Sequence, residues 1–115
     1  TEFWKKSAFI HFQLNFYEET ALGCKNAINL GNHDILNWTL WMDSLMLIND
    51  WKKALEIGEE ALNYHKKNSS VLYRLAGCKF RLGNKNEALF IFDKIKNNVI
   101  IPRYINHLFP ELIKV

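Results

Sequence analysis

A repeat of 34 residues constrains this chain more than any other feature of its sequence. When the sequence is shifted against itself by that interval, three copies align without a gap, at residues 1–34, 35–68 and 69–102. Tandem copies of this length are typical of solenoids, in which each copy is one supersecondary unit that packs on its neighbours. The 115 residues therefore predict a single helical-repeat domain.

The residue types at position 15 of the copies predict a helix, a tight turn and a second helix in each copy. That position holds Asn15, Asn49 and Gly83, and Asn and Gly tolerate the left-handed backbone that ends a helix. Apolar residues three and four apart between Trp38 and Ile48 predict an amphipathic first helix in copy two. We therefore expect an all-α fold built from antiparallel helix pairs.

The ends of the copies carry signals for helix starts and for a terminal cap. Asp34 and Ser69 lie just before or at the start of the first helices of copies two and three, where a side-chain oxygen is favoured. After copy three, Pro102 suits the first turn of a helix, and Leu108 and Phe109 belong to a short apolar face. This pattern predicts a capping helix at about residues 103–115 that covers the apolar flank of copy three.

Two turn segments carry a resemblance to a known repeat family. They read NDWKKAL at residues 49–55 and GNKNEAL at residues 83–89, and both are similar to the Gly-Asp-x-x-x-Ala-Leu turn of the tetratricopeptide repeat family. The chain departs from the family where Gly58 replaces a bulky residue at position 24 of copy two. The resemblance implies a right-handed α-solenoid of antiparallel helix pairs. Its first helices would line a concave groove that holds an extended peptide or a partner's helix.

The resemblance also implies which side chains face this groove, because family members use positions 2, 5, 9, 12 and 13 of each first helix. The partner-binding residues that it implies here are Lys5, Phe9, Phe12, Thr39, Asp43, Met46, Tyr73, Phe80 and Arg81. Apolar anchors with a few isolated charges suit a short peptide or an amphipathic helix. The same side chains also fit a buried interior, covered by the capping helix or by further repeats.

One subclass of the family holds a C-terminal carboxylate with Lys at position 5, Asn at position 9 and Asn at position 6 of the next repeat. Lys5 matches this clamp, but Phe9 and Leu40 do not. Arg74, at position 6 of copy three, fits the later part of it. Because only half of the clamp is present, the sequence favours a different ligand.

Catalytic, metal and cofactor sites have no signature in the sequence. The four histidines fall at unrelated repeat positions without metal spacing, and the five glycines form no phosphate-binding loop. Cys24 and Cys78 are too few and too far apart in sequence for a zinc pattern or a disulfide framework. We expect no enzymatic activity, no cofactor, no metal and no small-molecule substrate. We also expect the two sulfurs to lie well apart, since repeats mainly contact their neighbours.

Charge and hydropathy narrow the classes of partner. The net charge is +3, and the fifteen Lys and Arg residues are scattered, so no nucleic-acid partner is expected. No apolar run approaches the ~18 residues of a membrane helix, so no membrane insertion is expected. The chain starts at Thr1 without an initiator Met or a signal-peptide pattern, which indicates a trimmed or excised piece. We expect a cytoplasmic location.

The function that the sequence favours is a non-catalytic protein–protein interaction module or scaffold with a protein or peptide partner. A helical-repeat RNA binder is a competing function, supported by the basic residues Lys52, Lys53, Lys66, Lys67, Lys79 and Arg81. The sequence also leaves open an accessory segment of a larger multidomain protein. Self-association stays open as well, because exposed flanks of repeat arrays can stack end to end.

Overall fold

The computed structural model describes residues 16–102, 105, 108 and 109, and its regular structure within them is entirely helical. The five helices are α1 (Tyr17–Asn29), α2 (Ile35–Leu47), α3 (Trp51–Ala61), α4 (Ser69–Arg81) and α5 (Lys85–Ile95). Each helix packs on the next one along the chain, and α2 also contacts α4. The prediction of an all-α solenoid of helix pairs is confirmed.

The helices start at intervals that reproduce the sequence repeat. The first helices α2 and α4 begin at residues 35 and 69, and the second helices α1, α3 and α5 begin at residues 17, 51 and 85. Asn49 and Gly83, in the turns after α2 and α4, have φ angles of 66° and 98°, so the predicted left-handed turns are present. Asn15 and the first helix predicted for copy one lie outside the described residues.

Side-chain caps fix where the first helices begin. Asp34 is the N-cap of α2 and accepts a hydrogen bond from the backbone N–H of Leu36 at 3.0 Å, as predicted. The prediction for copy three is wrong by one residue, because Asn68 caps α4 by accepting from the N–H of Val71 at 3.2 Å. Ser69 is the first helical residue, and its hydroxyl donates instead to the carbonyl of Asn98.

Small residues allow the helices to approach one another closely. Ala54, Ala61 and Ala88 lie on the second helices and are fully buried. Gly58 of α3 is buried as well, and a Cβ added there would lie 2.6 Å from side-chain atoms of both Leu75 and Met42. The bulk that the family pattern places at this position is therefore supplied by the neighbouring helices.

Candidate functional site

The groove residues predicted in copy two are buried side chains of α2. Thr39 is 7% exposed, and Asp43 and Met46 are fully buried. Helix α2 packs against α1, α3 and α4, and every residue from 37 to 46 is buried. These three side chains offer almost no surface in this structure, and their contact with a partner stays a prediction.

A buried ion pair joins the two first helices. The carboxylate of Asp43 on α2 accepts hydrogen bonds from Nε and Nη2 of Arg74 on α4, at 2.5 and 2.9 Å. Nη1 of Arg74 donates to the carbonyl of Ser70 at 2.9 Å. A forked guanidinium–carboxylate pair fixes both distance and angle, and breaking a buried pair is costly. The pair therefore sets the position of α4 against α2.

The ion pair also changes the interpretation of the half clamp. Arg74 is turned toward Asp43, and its side chain is 4% exposed, so it presents no free guanidinium to a foreign carboxylate. Leu40 is also buried. The remaining groove residues predicted in copy one, namely Lys5, Phe9 and Phe12, lie outside the described residues.

The predicted groove residues of copy three differ in exposure. Tyr73 is fully buried, 6.1 Å from the ring centroid of Phe92. Burial raises the pKa of its hydroxyl to about 12, while Arg74 lowers this pKa and Asp43 raises it. Phe80 is half-buried, and Arg81 is exposed. Copy three thus presents more surface at these positions than copy two.

The side chain of Phe109 is seated on the groove face of α4. Its ring lies 6.0 Å from the ring of Tyr73 and 5.7 Å from that of Trp51, edge-on to both. The guanidinium of Arg81 lies 5.6 Å from the Phe109 ring centre, and its Nη2 donates to the carbonyl of Leu108. Trp51 belongs to copy two, so this contact bridges two copies.

Gly77 completes this seat, which we call the Phe109 socket and define as Trp51, Tyr73, Gly77 and Arg81. A Cβ at position 77 would overlap the far edge of the Phe109 ring, so the ring can take this place only because residue 77 is a glycine. The last three residues of the socket occupy groove positions 5, 9 and 13 of copy three. Sequence reasoning missed this relation, although the unusual glycine at position 9 was a signal.

A comparison of the sequence with models of known protein families finds a match for part of the repeats. Residues 46–98 match the model of a family described as tetratricopeptide repeat, a span that runs from the end of α2 to just beyond α5. Over this span, which is somewhat less than half of the chain, the sequence is similar to the tetratricopeptide repeat family. Members of this family are generally protein–protein interaction modules and are generally non-catalytic. A comparison with curated proteins found no match.

The thiols of Cys24 on α1 and Cys78 on α4 are free and buried. Burial and, to a smaller extent, the charge of Asp43 together raise the pKa of Cys24 and of Cys78 to about 12, while Arg74 lowers that of Cys78. Although the two cysteines lie in different copies, one carboxylate of α2 affects both thiols, and the expectation that the two sulfurs lie well apart stays a prediction. Helix α2 contacts both α1 and α4, which carry them. Neutral buried thiols are poor nucleophiles.

A further cleft of about 270 Å³ lies between α1 and α3. Its lining includes Lys25, Trp41, Lys53, Glu56 and Glu60, so its charge is mixed. Among the residues that the structure describes, no group of three or more His, Cys, Asp or Glu side chains is placed to hold a metal ion. None of the described helices combines the length and apolar character that crossing a membrane requires.

Proposed function

We propose that this chain is a non-catalytic interaction module that binds a peptide or a partner's helix in the concave groove, where α4, rather than the buried face of α2, supplies the accessible side chains. The seat of Phe109 on α4 is the observation that carries this proposal. Groove positions of copy three accommodate an aromatic ring and a backbone carbonyl, which are the two features that peptide-recognition grooves bind. A similar segment of another protein would find the same contacts there.

The chemistry of the socket suits recognition of a protein segment. Aromatic side chains and arginine contribute most of the binding energy at protein interfaces, and Trp51, Tyr73 and Arg81 supply both types. The buried pair of Asp43 and Arg74 holds α2 and α4 in place before any ligand arrives. A preformed site costs less conformational entropy when it binds.

The basic residues that support RNA binding are divided between different surroundings. Lys79 donates to Glu87 at 2.9 Å, and Arg81 donates to the carbonyl of Leu108. Lys66 and Lys67 are exposed in the loop between α3 and α4. A nucleic-acid surface needs several cations that face one side together, so the groove favours a protein or peptide partner.

A displayed library of peptides tests the proposal without a known partner. The library is selected on the wild-type protein, and fluorescence anisotropy then measures the binding of enriched peptides to wild type, Phe80→Glu and Phe90→Glu. Phe80 lies at groove position 12 of α4, whereas Phe90 is 62% exposed on the second helix α5. The two variants make the same chemical change, so they form a matched pair.

We expect Phe80→Glu to weaken binding by about 10-fold or more, as loss of an aromatic contact does at interfaces, and Phe90→Glu to leave it unchanged. Circular dichroism checks that both variants are folded. Equal effects of the two substitutions, or no enriched peptide, would contradict groove binding. A salt-sensitive gel shift with single-stranded RNA in place of peptide binding would favour an RNA-binding function, and a concentration-dependent mass would favour self-association.

A further inference from the structure

The Phe109 socket is filled by the chain itself, with contacts of two kinds. An aromatic ring lies against Gly77 and edge-on to Tyr73 and Trp51. A backbone carbonyl, that of Leu108, accepts a hydrogen bond from the side chain of the exposed Arg81. Ring burial together with recognition of a main-chain carbonyl is how a groove binds a peptide.

We propose that the segment carrying Ile105, Leu108 and Phe109 is an internal ligand of the groove, which a partner must displace with a segment of the same chemistry. This inference rests on the proposed function. Ile105 and Phe109 are fully buried and Leu108 is half-buried. Their spacing of three and four residues is that of one face of a helix. The expected partner is therefore an amphipathic helix whose last apolar residue is aromatic.

The connection between α5 and this segment suits reversible release. Lys96, Asn97 and Asn98 are exposed, and Ile100 is 91% exposed. Val99 and Ile101 pack against the core, and the carbonyl of Asn98 accepts a hydrogen bond from Ser69, so the connection is held at these points. The exposed residues between them make few buried contacts, and segments with few buried contacts open at low free-energy cost. The proposal requires the segment to leave the socket while the helix pairs beneath it stay folded.

An internal ligand lowers the affinity of any partner. A tethered segment competes at an effective concentration that is on the order of millimolar for a short flexible link. If the segment fills the socket about nine-tenths of the time, the apparent affinity for a partner falls about 10-fold. The chain would then bind tightly only to partners that outcompete its own residues.

A labelled peptide with the sequence of residues 103–115 tests the assignment by fluorescence anisotropy. We expect Phe109→Ala, which empties the socket, to bind this peptide at least about 10-fold more tightly than wild type does. The double variant Gly77→Ala, Phe109→Ala should lose this gain, because a Cβ at position 77 overlaps the incoming ring. A peptide with Ala in place of its own Phe is the control and should not bind.

A second measurement changes no residue except for one fluorine atom on the ring of Phe109, so it does not depend on the stability of an alanine variant. 4-Fluorophenylalanine placed only at position 109 reports the environment of that ring by fluorine NMR. Adding an excess of the unlabelled peptide should shift the resonance from its buried position to that of a free ring. An unchanged resonance, with no tighter binding by Phe109→Ala, would overturn the proposal and make Phe109 a permanent part of the core.

The outcomes separate this inference from the proposed function. If library peptides bind through Phe80 but leave the fluorine resonance unchanged, groove binding stands and the internal ligand is overturned. If the chain's own peptide fills the emptied socket while no foreign peptide binds, the internal ligand stands and the proposed function fails. A dimer in which Phe109 fills the socket of a second copy, detected as mass that rises with concentration, would overturn the assignment within one chain.

Discussion

Helices α2 and α4 are equivalent by repeat position, yet they differ in what covers their groove faces. On α2, Thr39, Asp43 and Met46 are buried, because this helix packs against α1, α3 and α4. On α4, the corresponding face carries the C-terminal segment, with Phe109 on Gly77 and with Arg81 exposed beside it. One face belongs to the structural core, while the other is covered by a segment that the chain adds after its last repeat.

This difference shows that repeat position alone does not define a ligand contact. A repeat position fixes the direction of a side chain relative to its helix. What the side chain meets depends on the neighbouring copies and on the ends of the array. Position 9 illustrates the point. In copy two it holds Asp43, whose carboxylate pairs with Arg74, whereas in copy three it holds Gly77, which lies against the ring of Phe109.

The largest expected effect comes from a substitution that removes the partner of a buried side chain of α2. Arg74→Met leaves the buried carboxylate of Asp43 without its forked hydrogen bonds. We expect the free energy of unfolding in urea to fall by about 3–5 kcal/mol, as when one partner of a buried pair is removed. The matched surface change Lys79→Met removes a pair with Glu87 whose carboxylate is half exposed, and it should cost at most about 1 kcal/mol.

A double-mutant cycle sharpens this test. Asp43→Leu combined with Arg74→Met removes both charges, so its cost should be well below the sum of the single costs. Additive costs, or an Arg74→Met effect no larger than that of Lys79→Met, would mean that the pair does not set the position of α4 against α2.

A smaller effect concerns the thiols of Cys24 and Cys78. The charge of Asp43, on the helix α2 between their two helices, affects both of them. The folded pKa of Cys24 and of Cys78 is raised from 9.0 to about 12, so both thiols stay neutral in the folded state. Below pH 9 the folded and unfolded states bind the same protons at these groups. Above it the unfolded thiols ionise first, so stability is lost between pH 9 and 12. We expect a loss of about 1 kcal/mol for each thiol at pH 10.

Urea unfolding at pH 8 and pH 10 measures this loss. The double variant Cys24→Ala, Cys78→Ala should show a weaker fall between the two pH values, by about 2 kcal/mol. Lysine titration affects both proteins alike, and the cavities left by the substitutions are present at both pH values. The change in the free energy of unfolding between pH 8 and pH 10 can therefore be compared between the two proteins. An equal change in the free energy of unfolding in the two proteins would show that the thiols are not buried from water as they are in this structure.

The sequence predicted most of the backbone because the relevant physics is local. The left-handed turns at Asn49 and Gly83 and the cap at Asp34 follow from the residue types at those positions. The helix α4 begins at Ser69, but its capping side chain is that of Asn68, since Asn68 and Ser69 are both good caps and only the geometry decides between them.

The state of the groove was not predictable in the same way. The burial of Tyr73 depends on where the chain runs after α5, and side chains many residues apart in sequence decide that path. Likewise, the pairing of Asp43 with Arg74 joins residues 31 positions apart. The sequence assigned Asp43, Tyr73 and Arg81 to groove positions, but it did not show that Asp43 meets Arg74 or that Tyr73 and Arg81 meet Phe109.

The smallest expected effect compares the two helical glycines directly. Alanine favours a helix interior over glycine by about 1 kcal/mol, so without packing both Gly58→Ala and Gly77→Ala would stabilise the protein. At Gly58 the added Cβ meets side chains of Leu75 and Met42, which are buried between helices. Overpacking of this kind costs about 1–3 kcal/mol, and we expect a net loss of about 1–2 kcal/mol in urea unfolding.

At Gly77 the three atoms nearest to the added Cβ all belong to the ring of Phe109, which on the proposed mechanism leaves with its segment. The repeats should then lose no more than about 1 kcal/mol, since the gain in helix propensity offsets part of the lost contact. Hydrogen exchange should become faster at the amides of Leu108 and Phe109 while α4 stays protected. If Gly77→Ala instead destabilises the whole array as much as Gly58→Ala does, the C-terminal segment is as integral to the core as α2, and the two groove faces do not differ in kind.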